Sequence, residues 1–164
     1  MAGLSNQDTE SGLLIGLGGG GLVNLWDYLS LPWRVTAIEL DPGVVDIATQ
    51  YFGLDRDKLD VKIGDGLAVA MVDEPTEARS QLLFQAGSFH FIVIDVDAKD
   101  TGKGMSCPPA AFVEPAYLRT LSMLLRPNSG VLAINVSARD PNLFKSVCQA
   151  VASVFPSVVL SKKS

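Results

Sequence analysis

The sequence predicts a doubly wound α/β fold, a mostly parallel sheet with helices on both faces. Three observations carry that expectation. Short apolar runs alternate with stretches of helical periodicity along the chain. The cluster Gly16-Leu17-Gly18-Gly19-Gly20-Gly21 separates the first apolar run from the first helical stretch, and Gly16, Gly18 and Gly21 fit the G-x-G-x-x-G spacing of a nucleotide-binding βαβ unit. Residues 89–94 are apolar throughout except for His90, as in a strand covered on both faces in the middle of a parallel sheet.

Taken in order, Leu13-Leu14-Ile15 reads as a short buried strand ended by the glycines. Leu22, Leu25, Trp26 and Leu29 then recur at helical spacing until Pro32, which predicts a helix with those residues inward. Residues 35–40 form the second predicted strand. Asp41-Pro42 opens a helix with an N-cap residue followed by a proline, its expected inner face being Val44, Ile47, Ala48, Tyr51 and Phe52 and its end Gly53. A third strand over 60–63 runs into Gly64-Asp65-Gly66, and a short helix is expected over 67–72. Residues 73–88 read as loop with a helical turn over 78–84.

The fourth strand, 89–94, ends in the acidic run Asp95-Val96-Asp97-Ala98-Lys99-Asp100, and a loop punctuated by glycine and proline continues to Pro109. A helix with Phe112, Ala116, Leu121, Leu124 and Leu125 inward closes at Pro127 and the turn Asn128-Ser129-Gly130. Residues 131–136 form a fifth strand. Asp140-Pro141 starts a last helix carrying Leu143, Val147, Val151 and Val154, and 158–160 is a sixth strand. With right-handed crossovers these elements wind helices onto both faces of one sheet.

A chain of 164 residues is about one domain. Residues 1–10 are polar and patternless, a disordered terminus or an appended remnant, and 11–164 form the single domain. A formal charge of −5 argues against bulk nucleic acid as a partner, because backbone binding relies on clustered Lys and Arg. No apolar run approaches the roughly 18 residues of a membrane span and no signal peptide opens the chain, so a soluble, cytoplasmic protein without membrane contact is expected. Cys107 and Cys148 lie far apart with no second histidine to join them, so two reduced thiols and no metal site are expected.

In open parallel sheets, ligands bind beyond the carboxyl ends of the strands where strand order reverses. Those ends carry the glycine cluster including Gly20, Glu39 with Asp41, Asp65, Asp95 with Asp97, and Asn135. Glu39 lies about 20 residues past the glycines, where βαβ units place the acid that holds a ribose hydroxyl pair. The glycines alone could serve only to let a helix approach a strand. Asp65 suits an exocyclic adenine amine, or it caps the following helix. A Walker-type phosphate loop is excluded, since no G-K-[ST] follows the glycines. His90, early in its strand and without an acidic neighbour in sequence, reads as structural rather than catalytic.

The order of these motifs resembles the class I S-adenosylmethionine-dependent methyltransferases, a Rossmann-like fold, and within them the spermidine-synthase-like branch. The residues that carry the resemblance are Ile15 to Gly21, Ile38-Glu39-Leu40-Asp41-Pro42, Gly64-Asp65-Gly66 and the acidic end of the fourth strand. The segment from Phe91 to Glu114, with Gly104-Met105-Ser106-Cys107-Pro108-Pro109-Ala110-Ala111-Phe112-Val113-Glu114, is similar to the C-terminal domain of the methyltransferase-like protein 13 family. The resemblance implies a protein methyltransferase acting on the N-terminal α-amino group of translation elongation factor 1-alpha, with S-adenosyl-L-methionine as cofactor and S-adenosyl-L-homocysteine as product. It implies that the glycine loop passes under the methionine part, that Glu39 holds the ribose, that Asp65 meets the adenine amine and that Leu40 and Leu67 flank the ring. Asp95 would face the cofactor's amino group or the incoming amine.

Asp95 and Asp97, with the Asn135 carbonyl oxygen, are the candidates for orienting an amine and accepting its last proton. Asp100 is equally well read as a loop cap. Polyamine aminopropyltransferases of the same branch carry paired aspartates here; in this chain Asp95 matches the first, Ala98 stands at the second, and Asp97-x-x-Asp100 restores the spacing only with a shift. Aminopropyl transfer is therefore the alternative reading, alongside a cofactor-binding fragment without activity and, further off, a nicotinamide-dependent oxidoreductase. The resemblance also leads one to expect a seventh, antiparallel strand, and none follows 158–160. The resulting open edge makes a homodimer one expected assembly.

Overall fold

The computed structural model describes residues 10–71, 82–97 and 105–161. Residues 1–9 of the disordered terminus expected over 1–10, the first half of the predicted turn at 78–84 and the segment 98–104, with Ala98, Asp100 and Gly104, lie outside the described residues; Glu10, the last residue of that expected terminus, is strand instead.

Five parallel strands form the main sheet: β1 (Glu10–Ile15), β2 (Trp33–Glu39), β3 (Leu59–Ile63), β6 (Phe91–Ile94) and β8 (Val131–Ile134). Their spatial order is β3-β2-β1-β6-β8, so the order reverses between β1 and β6. Two small sheets stand apart from it. Val69–Met71 (β4) pairs in parallel with Leu82–Phe84 (β5), and Met105–Cys107 (β7) pairs antiparallel with Ser137–Ala138 (β9).

The side chains of β1 alternate between two cores, as a pleat of period two requires. Leu13 and Ile15 join Ile38, Ile92 and Ile94 against Phe112, Leu121, Leu124 and Leu125 on one face. Leu14 joins Val35 and Ala37 against Val23, Val45 and Ala48 on the other. The first face is covered by α3 (Pro115–Leu124), with α4 (Pro141–Ala152) beside it; the second by α1 (Gly21–Tyr28) and α2 (Pro42–Tyr51). Asp41 and Asp140 cap α2 and α4, their Oδ1 atoms accepting from Gly43 N and Asn142 N at 2.8 Å, and a proline follows each cap.

Several elements differ from expectation. In α1 the inward residues are Val23 with Leu22 and Trp26, while Leu25 and Leu29 are about half exposed. Trp26 sets the rotation: it meets Trp33 and Phe91 edge-on, both at 5.5 Å between ring centroids. In α2 the buried pair is Val45 and Ala48, not Ile47, Tyr51 and Phe52, because these smaller side chains fit against the fully buried Ala37. In α3 Leu118 replaces Ala116, which is exposed.

The helix expected over 67–72 is a single 3-10 turn, Gly66–Ala68, followed by β4, and residues 82–84 are strand rather than helical turn. A pairing between two three-residue strands leaves no periodicity to read. The sixth strand expected over 158–160 does not form: β8 is the edge of the main sheet among the described residues, and Val159 is 90% exposed. A run of β-branched residues becomes strand only when a partner takes its backbone groups. No helix among the described residues is long and apolar enough to cross a membrane.

Leu118 is fully buried on α3. Truncating it to alanine should cost about 2–5 kcal/mol of unfolding free energy, measurable as a lower urea midpoint at unchanged slope.

Candidate functional site

The register of the sheet brings the candidate residues together. Ile15 pairs with Ile38 on one side and Ile94 on the other, and Ile94 pairs with Ile134. One residue further along each strand therefore stand Glu39, Gly16, Asp95 and Asn135, in a single row across the carboxyl ends. Backbone bonds hold that row: Gly16 N donates to Ile38 O, Asp95 N to Ile15 O and Asn135 N to Ile94 O, all at 2.9–3.0 Å. Asp65 enters from the next strand, where Gly64 N donates to Glu39 O at 2.9 Å.

At Gly16 the chain leaves β1 with φ +90°, and a Cβ there would collide with the backbone carbonyl of Asp95. The position needs glycine both for conformation and for space. Gly20 caps α1 through its backbone, with no side-chain bond, and Gly21 is the first helical residue. Gly18 and Gly19 are exposed, and a Cβ at Gly18 would meet nothing within 4 Å, so the loop presents bare backbone to solvent there.

Glu39 ties this loop to β2. Its Oε2 accepts from Leu17 N at 3.0 Å and Gly18 N at 3.4 Å, and its Oε1 accepts from Asp41 N at 3.1 Å. A carboxylate offers about four lone-pair sites, so among the described residues one remains and the 3.4 Å bond is the easiest to exchange. Leu40 is 69% exposed beside it, and Leu67 is also exposed. Asp65 performs the capping expected as its alternative role, Oδ1 accepting from Leu67 N at 2.9 Å. Gly66 is buried, and a Cβ there would collide with Ile15 and crowd Phe112.

On the other side of Gly16, Asp95 Oδ1 accepts from Asn135 Nδ2 at 2.8 Å. A carboxylate has no proton to give, so the amide NH2 must face it, which turns the Asn135 carbonyl oxygen elsewhere. Asp95 and Asp97 are both exposed. Below them the Cys107 thiol donates to Asn135 O at 3.2 Å; burial, then the charges of Asp95 and Asp97, push its pKa up to about 11. Cys107 and Cys148 are free thiols, as the sequence suggests. His90 is structural: Ser11 N donates to its Nδ1 at 2.9 Å, at the opposite end of the strands from the row of acids. Among the described residues no cluster of His, Cys, Asp and Glu could hold a metal.

Tyr117, on α3, is the contributor that sequence reading missed. Its hydroxyl donates to Gly66 O at 2.7 Å. Its place one residue after Ala116 in an amphipathic helix gave no sign of a polar contact 51 residues away.

No family model matches the sequence. Among known proteins, the zebrafish (Danio rerio) eEF1A lysine and N-terminal methyltransferase is 44% identical over 161 residues, covering 96% of this chain and 22% of the relative. The human protein of that name is 40% identical over 88% of this chain and 20% of its own length. The crystal structure of human methyltransferase-like protein 13 in complex with SAH superposes with a TM-score of 0.74 at 33% identity, covering 94% of this chain and 66% of that one. The chain belongs to the class I S-adenosylmethionine-dependent methyltransferases. It spans about a fifth of the length of the curated relatives it matches. Spermidine synthase from Thermotoga maritima, at 20% identity and a TM-score of 0.62 over 92% of this chain and 47% of its own, shares the fold of this chain.

The Cys107 pKa fixes a sign for alkaline stability. Its folded value lies above the ordinary 9.0, so between about pH 9 and 11 the unfolded state loses a proton that the folded state keeps. Its contribution is fully present below pH 9 and should be lost as pH rises to about 11. Chemical denaturation across that window should show stability falling more steeply in the wild type than in Cys107→Ala.

Proposed function

We propose that this chain is an S-adenosylmethionine-dependent protein methyltransferase acting on the N-terminal α-amino group of translation elongation factor 1-alpha, in the cytoplasm where elongation takes place. The observation that carries the reading is the row Glu39, Gly16, Asp95 and Asn135 across the switch point of the sheet, in a chain 36–44% identical to relatives named for that activity.

The residues fit the cofactor. The exposed backbone of Gly18 and Gly19, between Gly16 and the first turn of α1 that Gly20 and Gly21 open, would hold its methionine part. Glu39 would take the ribose hydroxyls with its remaining lone pair and the one now lent to Gly18 N. Leu40 and Leu67 would flank the adenine, and the turn Asp65-Gly66 would meet its amino group. S-adenosylmethionine, when bound, supplies a methyl group on a sulfonium, which a neutral amine can attack directly.

Such a reaction asks the protein mainly for position. An α-amino group titrates near roughly 7.7–8.0, so a useful fraction is neutral at physiological pH, whereas a lysine amine near about 10.4 is almost wholly charged. This favours the N-terminal amine over a lysine for a site without a strong base. Asp95, oriented by Asn135, and Asp97 hold the amine through its N–H groups and receive the proton released once nitrogen has gained its methyl group. The same exposed carboxylates attract a cationic peptide terminus.

Incubated with radiolabelled S-adenosylmethionine, the protein should label recombinant elongation factor 1-alpha with a free N-terminus and leave an N-acetylated form unlabelled. Tighter binding of decarboxylated S-adenosylmethionine than of the carboxylated form would instead favour aminopropyl transfer. Glu39→Ala removes a charged acceptor and should weaken S-adenosylhomocysteine binding by about ten-fold or more in calorimetry, the loss usual for hydrogen bonds to a charged group.

A further inference from the structure

The turn Asp65-Gly66-Leu67 has no regular structure of its own beyond one 3-10 turn, and three contacts hold it. From beneath, Gly66 sits so close to Ile15, the last residue of β1, and to Phe112 that no side chain would fit. At its start Asp65 caps Leu67 N. From the side, the Tyr117 hydroxyl donates to the Gly66 carbonyl at 2.7 Å across 51 residues of sequence. The Tyr117 ring is itself fixed, meeting Phe112 edge-on at 5.6 Å and 90°.

We propose that Tyr117 is a positioning residue for the nucleoside end of the site: by holding the Gly66 carbonyl it sets where Asp65 and Leu67 stand relative to Glu39. The inference rests on the methyltransferase reading and adds to it a residue from α3, an element remote from the strand ends. The physical argument is one of anchoring. A three-residue turn between β3 and β4 has few contacts to resist drift, and a ligand that must find an acid and an apolar side chain at fixed places gains affinity when they are already there. Gly66 can offer no side chain for that purpose because the space is taken. What remains is its backbone, and Tyr117 takes the carbonyl. Burial, and then the nearby Asp65 charge, raise the Tyr117 pKa, so its hydroxyl keeps the proton it donates at any pH the protein meets.

The test compares the wild type with Tyr117→Phe, which keeps the ring and its contact with Phe112 and removes only the donor. Calorimetry should show S-adenosylhomocysteine bound about three- to ten-fold more weakly by the variant, the range one net hydrogen bond implies. Adenosine, which carries the nucleoside end alone, should weaken by the same factor. Hydrogen exchange at the Leu67 and Ala68 amides should be faster in the variant before ligand is added. In methyl transfer, KM for S-adenosylmethionine should rise while kcat stays within about two-fold.

Unchanged affinity in Tyr117→Phe, even with a lower melting temperature, would make Tyr117 a purely structural residue and overturn the inference while leaving the methyltransferase reading intact. Failure of the wild type to bind S-adenosylhomocysteine would overturn that reading, and this inference with it. Should Tyr117→Phe not fold, the Tyr117 hydroxyl proton of the wild type decides instead: slow exchange of that proton by NMR already present without ligand supports anchoring, and slow exchange that appears only with ligand overturns it.

Discussion

The site depends on the meeting of two strand ends. β1 and β6 are neighbours in the sheet, and beyond their last paired residues the chain of Gly16 passes against the carbonyl of Asp95 with no room for a side chain. Everything at the site depends on that approach. Because β1 turns away at once into the glycine loop, the loop lies over the crevice where strand order reverses. Because β6 carries its acid at the same level, a carboxylate stands at the other lip. Parallel pairing then extends the level to Glu39 on one side and Asn135 on the other, since each strand in register ends its ladder at the same height.

The acids on this row are held by neutral donors. Glu39 rests on three backbone N–H groups and Asp95 on an amide side chain, and neither is ion-paired to a Lys or Arg among the described residues. Such donors orient a carboxylate without cancelling its charge. The row therefore stays negative and directional, which suits hydroxyl and amine donors and repels phosphate. The ion pairs among the described residues, Lys58 with Asp27 and Asp55 and Lys62 with Asp60, are exposed and belong to the periphery.

Legibility followed the range of the interaction. Asp41-Pro42 and Asp140-Pro141 predicted helix starts that the structure reproduces, because a cap is a contact between residues two apart. The strand ends were legible because glycines and acids punctuate apolar runs, and these positions included the whole row of candidate residues. The helix faces were harder. In α1 and α2 more apolar residues are present than one face can bury, and a tryptophan against the sheet or a buried alanine beneath it chose which face turned in. The β4 and β5 pair and the missing strand over 158–160 failed for the same reason in opposite directions: whether a short apolar run is strand depends on a partner that local sequence does not contain.

By itself the sequence determined the alternation of strand and helix, the glycine turn, and the acids that end the strands, because propensity, capping and patterning act over a few residues. Only the tertiary structure decided that Glu39, Gly16, Asp95 and Asn135 lie in one row and that Tyr117 reaches the Asp65-Gly66 turn from α3. Those relations join residues from about 20 to 120 positions apart, and they are fixed by strand register and core packing, which no single stretch of chain carries.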